Sequence, residues 1–147
     1  ITPIIQIEDR KMVLYSGKTR IILTPNGEDV SYIWPSVSPD GKTIVYTVSG
    51  KGTFVCDIKG QNVRSLGKLS APKWINNNLI VGMDDKDNGD QVTSSVVVIA
   101  SADGKMRQTL TSDKEFKAMY PVASADGKKI VFCTDKGQLY LININIK

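Results

Sequence analysis

The densest set of potential ligand oxygens in the chain is Asp84-Asp85-Lys86-Asp87-Asn88-Gly89-Asp90. Oxygens at alternate positions are what a Ca²⁺ loop uses, but such a loop wants an oxygen ligand fifth and Gly sixth. Counting from Asp85, Gly89 falls fifth and Asp90 sixth. The stretch therefore reads as a solvated hairpin connection, and neither a metal nor any other cofactor is assigned.

The chain has no His, so it cannot by itself assemble a Ser-His-Asp or Cys-His group or a His-ligated metal. Paired carboxylates remain as possible acid and base. Most acids, however, sit in turn sequences such as those of Asp40 and Asp126, where Asp serves turn formation. No catalytic residue is assigned, and the chain reads as a non-enzyme. Aromatic residues offer binding chemistry instead. Tyr32 and Trp34 precede one strand and Tyr120 another, placed to ring a surface together with Asp85, Asp87 and Asp90. The competing use of Trp34 and Tyr120 is packing between sheets, which is the role expected of Trp74.

The elements that position these residues come from repetition. Pro35-Ser36-Val37-Ser38-Pro39-Asp40-Gly41-Lys42-Thr43-Ile44-Val45-Tyr46 recurs 86 residues on as Pro121-Val122-Ala123-Ser124-Ala125-Asp126-Gly127-Lys128-Lys129-Ile130-Val131-Phe132. Each copy is a strand, an Asp-Gly turn and a β-branched or aromatic strand. Halfway lies Pro72-Lys73-Trp74-Ile75-Asn76-Asn77-Asn78-Leu79-Ile80-Val81, where Asn, the residue that best tolerates a left-handed backbone after Gly, replaces the Asp-Gly turn. Leu23, Leu66 and Leu110, spaced 43 and 44 residues apart, close the same period.

Each period holds four short strands, termed a to d: a follows the Pro, b is the Ile-Val-Tyr type run, c is a run such as Phe54-Val55-Cys56, and d ends at the Leu. Strands b and c are apolar at consecutive positions, so both faces of each sheet must be covered. Four strands in about 40–45 residues predict an all-β chain of β-propeller blades, each a four-stranded antiparallel sheet. Residues 1–147 then form a single β-propeller segment with blades over 1–30 (partial), 31–69, 70–117 and 118–147 (partial), about three and a half in all. Strand a of the first blade would precede Ile1, and strand d of the fourth would begin near residue 147. The expectation is that further N-terminal blades or a second chain complete the ring, or that Ile1 to Ile7 cap the fourth blade as its outer strand. Ile44, Tyr46, Val81, Val97, Val131 and Phe132 are expected in the core.

Composition agrees with a packed domain: 41% of the residues are hydrophobic, and no apolar run approaches the roughly 18 residues of a membrane helix. The net charge of +4 arises from Lys and Arg scattered over every hairpin, which argues against a nucleic-acid groove. Cys56 and Cys133 fall at different points of the repeat and read as free, buried thiols. No leader pattern opens the chain, which begins inside β-structure as a chain does after signal-peptide removal.

Ser38-Pro39-Asp40-Gly41-Lys42, Trp74 two residues after Pro72, and Leu110-Thr111 closing a strand resemble the WD-like propeller repeats of the TolB type. The resemblance covers nearly the whole chain. It departs where Ala125 replaces Pro and Gly67 replaces Thr. Blades of this kind serve periplasmic scaffolds, gating domains of prolyl-oligopeptidase-like peptidases and carbohydrate-active proteins. The resemblance thus implies a bacterial, exported, periplasmic or cell-surface module that binds a protein partner or glycan through its d–a/b–c loop face. The alternative is an accessory domain of a larger hydrolase whose catalytic residues lie outside this sequence. Expected partners are a second copy or the remainder of a larger propeller, with no nucleic acid and no membrane span.

Overall fold

The computed structural model describes residues 2–145. Among the described residues fourteen strands form four antiparallel sheets, two of four strands and two of three, each with its strands in chain order. The first blade holds β1 (Ile4–Glu8), β2 (Lys11–Ser16) and β3 (Thr19–Leu23) as strands b, c and d. The second is complete, with β4 (Tyr32–Val37), β5 (Thr43–Val48), β6 (Gly52–Asp57) and β7 (Arg64–Gly67). So is the third, with β8 (Ser70–Trp74), β9 (Leu79–Asp87), β10 (Val92–Ser101) and β11 (Arg107–Thr109). In the fourth, β12 (Ala118–Ala123), β13 (Lys129–Thr134) and β14 (Leu139–Asn143) are strands a, b and c. The N-terminal strand does not cap the fourth blade: Ile4–Glu8 pairs with Lys11–Ser16 as the first blade's strand b, while Ile1 lies outside the described residues.

The core is three cores, one between each pair of neighbouring blades. Ile44, Tyr46 and Val48 point toward Met12 and Leu14 of the first blade, whereas Val45 and Val55 point toward Leu69, Ile80 and Val98 of the third. Val81, Val97 and Ile99 meet Ala118, Ile130 and Phe132. Successive strand residues face opposite sides, so a strand packed on both faces is apolar at consecutive positions, which is the pattern the sequence shows. Of the six residues expected inside, Val131 is only half-buried. It faces outward from the fourth blade, in register with the exposed Val122 and Leu141.

Three turns share one construction. Ser38, Ser101 and Ser124 each donate Oγ–H to the carboxylate two residues on, Asp40, Asp103 or Asp126, at 2.6 Å. The same carboxylate oxygen accepts the main-chain N–H of Lys42, Lys105 or Lys128 at 3.0–3.1 Å. The third-blade Asn turn works differently from the expectation. None of Asn76, Asn77 and Asn78 has a positive φ; Asn76 Oδ1 instead accepts the N–H groups of Asn78 and Leu79 at 2.8 and 2.9 Å, and this side-chain acceptor closes the turn.

Strand a does not follow its proline but contains it. In β4, β8 and β12 the residue before Pro35, Pro72 and Pro121 has a left-handed backbone: Trp34 at φ 50°, Ala71 at 50° and Tyr120 at 51°. At each site the a–b pairing skips register. At or beside these bulges, side chains of neighbouring blades donate to main-chain carbonyls. Thr53 Oγ1 donates to Leu69 O at 2.6 Å, Ser95 Oγ to Ala118 O at 2.5 Å, and Trp74 Nε1 to Ser36 O at 2.9 Å.

Candidate functional site, a cleft beside Trp34

The bulge decides which aromatics are available to a ligand. Tyr32 and Trp34 are two residues apart on one strand and would share a face if the strand were regular. The left-handed turn at Trp34 separates them: Tyr32 is 1% exposed in the first core, and Trp34 is 39% exposed. Tyr32 is therefore corrected from a surface ligand to a core residue. Its hydroxyl accepts from Asn26 N and donates to Gly27 O, both at 2.8 Å, and its ring packs on Tyr46 with centroids 5.8 Å apart. Burial pushes the phenol of Tyr32, and more strongly that of Tyr46, above the ordinary tyrosine range. The same offset buries Ala118 and leaves Tyr120 58% exposed in the fourth blade.

Trp34 forms one wall of a cleft of about 540 Å³ between the second and third blades. The b–c turn Ser49-Gly50-Lys51-Gly52 and the d–a link Gly67-Lys68-Leu69-Ser70 form its rim, and Ile33, Val48, Thr47 and Thr53 complete the lining. A Cβ on Gly52 would stand 3.0 Å from Gly67 O, so the two rims meet at the base only because residue 52 lacks a side chain. On the floor the hydroxyls of Thr47 and Thr53 lie 2.6 Å apart; Thr53 donates its proton to Leu69 O and accepts from Thr47. Both charged lining residues, Lys51 and Lys68, are cationic.

Lys68 is held from the third blade. Its ammonium donates to Asp85 O and lies 4.0 Å from Asp84 Oδ1. Arg107 fixes the link that carries it, donating to Leu66 O at 3.1 Å and Lys68 O at 2.6 Å, with Asp84 Oδ2 at 3.7 Å. Among the described residues Lys51 makes no ion pair.

The acidic residues do not gather around this cleft. Asp84 to Asp87 belong to β9 itself, because β9 and β10 form a hairpin longer than those of the other blades; only Asn88 to Gln91 make its turn. Asp87 Oδ1 accepts Gly89 N at 2.9 Å, while Asp87 and Asp90 border a shallow hollow at the hairpin tip. Asp85 buries one oxygen, Oδ1, without a hydrogen-bond partner among the described residues. Of the residues singled out from sequence, Trp34 alone lines the cleft; Tyr120, Asp85, Asp87 and Asp90 lie elsewhere. In the sequence Lys51 and Lys68 are two among the Lys and Arg scattered over every hairpin. Their signal was position: both fall in the b–c and d–a segments that the repeat itself assigns to one face.

Blades of four antiparallel strands, packed face to face in chain order, define the chain as an all-β protein built from β-propeller blades. No protein-family model matches the sequence, and no curated protein does. Among solved structures it is similar in fold to the crystal structure of the tricorn protease, with a TM-score of 0.68 at 12% identity. The likeness covers 90% of this chain, which spans 14% of the length of that protease chain.

Proposed function

We propose that this chain is a non-catalytic propeller module of WD-like, TolB-type repeats, exported to the periplasm or cell surface, which binds a protein partner or glycan through its d–a/b–c face. The observation that carries the reading is the cleft beside Trp34: an exposed indole and a lysine without an ion-pair partner among the described residues, at a mostly apolar hollow, within the roughly 300–1,000 Å³ of ligand-binding clefts. Tyr120 stands at the equivalent bulge two blades on and extends the same face. The experiment is a screen of peptide and glycan arrays with the purified chain and with Trp34→Ala. Binding that depends on Trp34 supports the reading; equal signals from both proteins, or no signal from either, overturn it.

A second reading has its own support. Similarity to a stretch of a protease favours an accessory propeller domain of a larger hydrolase. The parent reading frame tests it: a Gly-x-Ser-x-Gly segment in an α/β-hydrolase region would favour the hydrolase, and a stop codon after Lys147 the binding module. In either case the outward side of the fourth blade, with Val122, Leu139 and Leu141 exposed, receives a further propeller blade, from a second copy or from a longer ring. The three interblade cores support this, since in each a blade face is covered by another blade.

A further inference from the structure

Resting on the reading of the Trp34 cleft as a binding site, we infer that its ligand is the C-terminal residue of a peptide, with an apolar side chain against Trp34 and the α-carboxylate drawn to Lys51 and Lys68. Trp34, with the half-buried Ile33 beside it, gives the cleft its accessible apolar wall, and such a wall selects a hydrophobic or aromatic side chain. Its two charged residues are both lysines and no carboxylate lines it, so the charge it complements is negative. Lys68 is anchored by the Asp85 carbonyl and by Asp84. Lys51, without an ion pair among the described residues, sits on the b–c turn. A ligand that joins one anionic group directly to one apolar group fits this pairing.

The floor argues against a sugar. A saccharide presents many hydroxyls, each needing a partner when it leaves water. The hydroxyls of Thr47 and Thr53 at the base are already committed to one another and to Leu69 O. Only Ser49 and Ser70 at the rim add side-chain hydroxyls.

Calorimetric titration of the chain with N-acetyl-Gly-Gly-Phe as the free acid, as the C-terminal amide, and with lactose tests the inference. The free acid should bind, with the amide at least tenfold weaker and lactose without effect. Lys51→Glu should weaken the acid by tenfold or more and leave the amide unchanged, while Lys114→Glu, which makes the same charge change away from the cleft, should leave both unchanged. Trp34→Ala should abolish binding of the acid. Ala is the native residue at the same left-handed position in the third blade, Ala71, so the variant retains the fold, and circular dichroism verifies this. If the amide binds as tightly as the acid, if lactose binds, or if Lys51→Glu has no effect, the inference falls. The broader reading survives those results when the array signal still depends on Trp34, and falls only when no peptide or glycan gives such a signal.

Discussion

At the scale of single residues, small hydroxyls bind blade to blade. Thr53 and Ser95 are fully buried; Thr53 satisfies a carbonyl of the link into the next blade, and Ser95 one of the next blade's strand a. Thr53→Val keeps shape and removes the donor, and an abandoned buried acceptor costs about 1–3 kcal/mol. Chemical denaturation of Thr53→Val and Ser95→Ala should each show a loss of that size; wild-type midpoints in both would refute the role. The turn aspartates act through charge. Hydrogen bonds from Ser38, Ser101 and Ser124, then main-chain N–H groups, hold the carboxyls of Asp40, Asp103 and Asp126 below their ordinary value of 3.8. As pH falls, the unfolded chain takes up these protons first, so the stabilisation is complete above the ordinary value and disappears as pH passes through the lower folded ones. The triple Asp→Asn variant should therefore melt lower than wild type at pH 7, and the gap should close between about pH 5 and pH 2. A gap independent of pH would show that the charge contributes nothing.

At the scale of the element, the repeat made strands and turns legible, and the bulge hid the site. Pro, Asp-Gly and Leu at intervals of about 43 residues mark where strands turn, and consecutive apolar positions mark sheets covered on both faces. Nothing in Tyr32-Ile33-Trp34-Pro35 announces that Trp34 leaves the face of Tyr32, because a non-glycine residue with positive φ is uncommon and is set here by the register slip against β5. The clustering of Lys51 and Lys68 depends on two loops from different hairpins meeting, which local sequence does not encode. Gly82 shows how tightly the elements are fitted. A Cβ there would stand 2.6 Å from Leu69 Cγ and 2.9 Å from Ser70 O. Strand a can lie against β9 only over a bare backbone, so Gly82→Ala should destabilise by about 1–3 kcal/mol, measured as a lower denaturant midpoint. A neutral result would mean that β8 shifts freely.

For the whole molecule, the outer face of the first blade mixes polar and apolar groups, and that of the fourth is the more continuously apolar. On the first, Glu8, Tyr15 and Arg20 form a linked polar group beside the exposed Ile4 and Ile22, and Val13, pointing to the same side, is only 1% exposed. On the fourth, Val122, Val131 and Leu141 form one apolar row, and Met119, Cys133 and Leu139 another. Exposed apolar sheet faces and open edges drive association. Light scattering at micromolar concentration should therefore report a mass above the 16.1 kDa chain, and Leu141→Glu should lower it; a wild-type monomer would contradict the assignment of that face. The arrangement of three separate cores also governs how the molecule comes apart. Because each blade touches only its neighbours in the sequence, opening propagates like a zipper, and the cost of freeing a blade depends on how many cores it shares. The second and third blades share two each and the end blades one. In deuterium exchange, amides of β5 and β9 should outlast those of β2 and β13, so that the strands lining the Trp34 cleft lie in the slowest-exchanging part of the chain and the ligand meets a surface already fixed in shape.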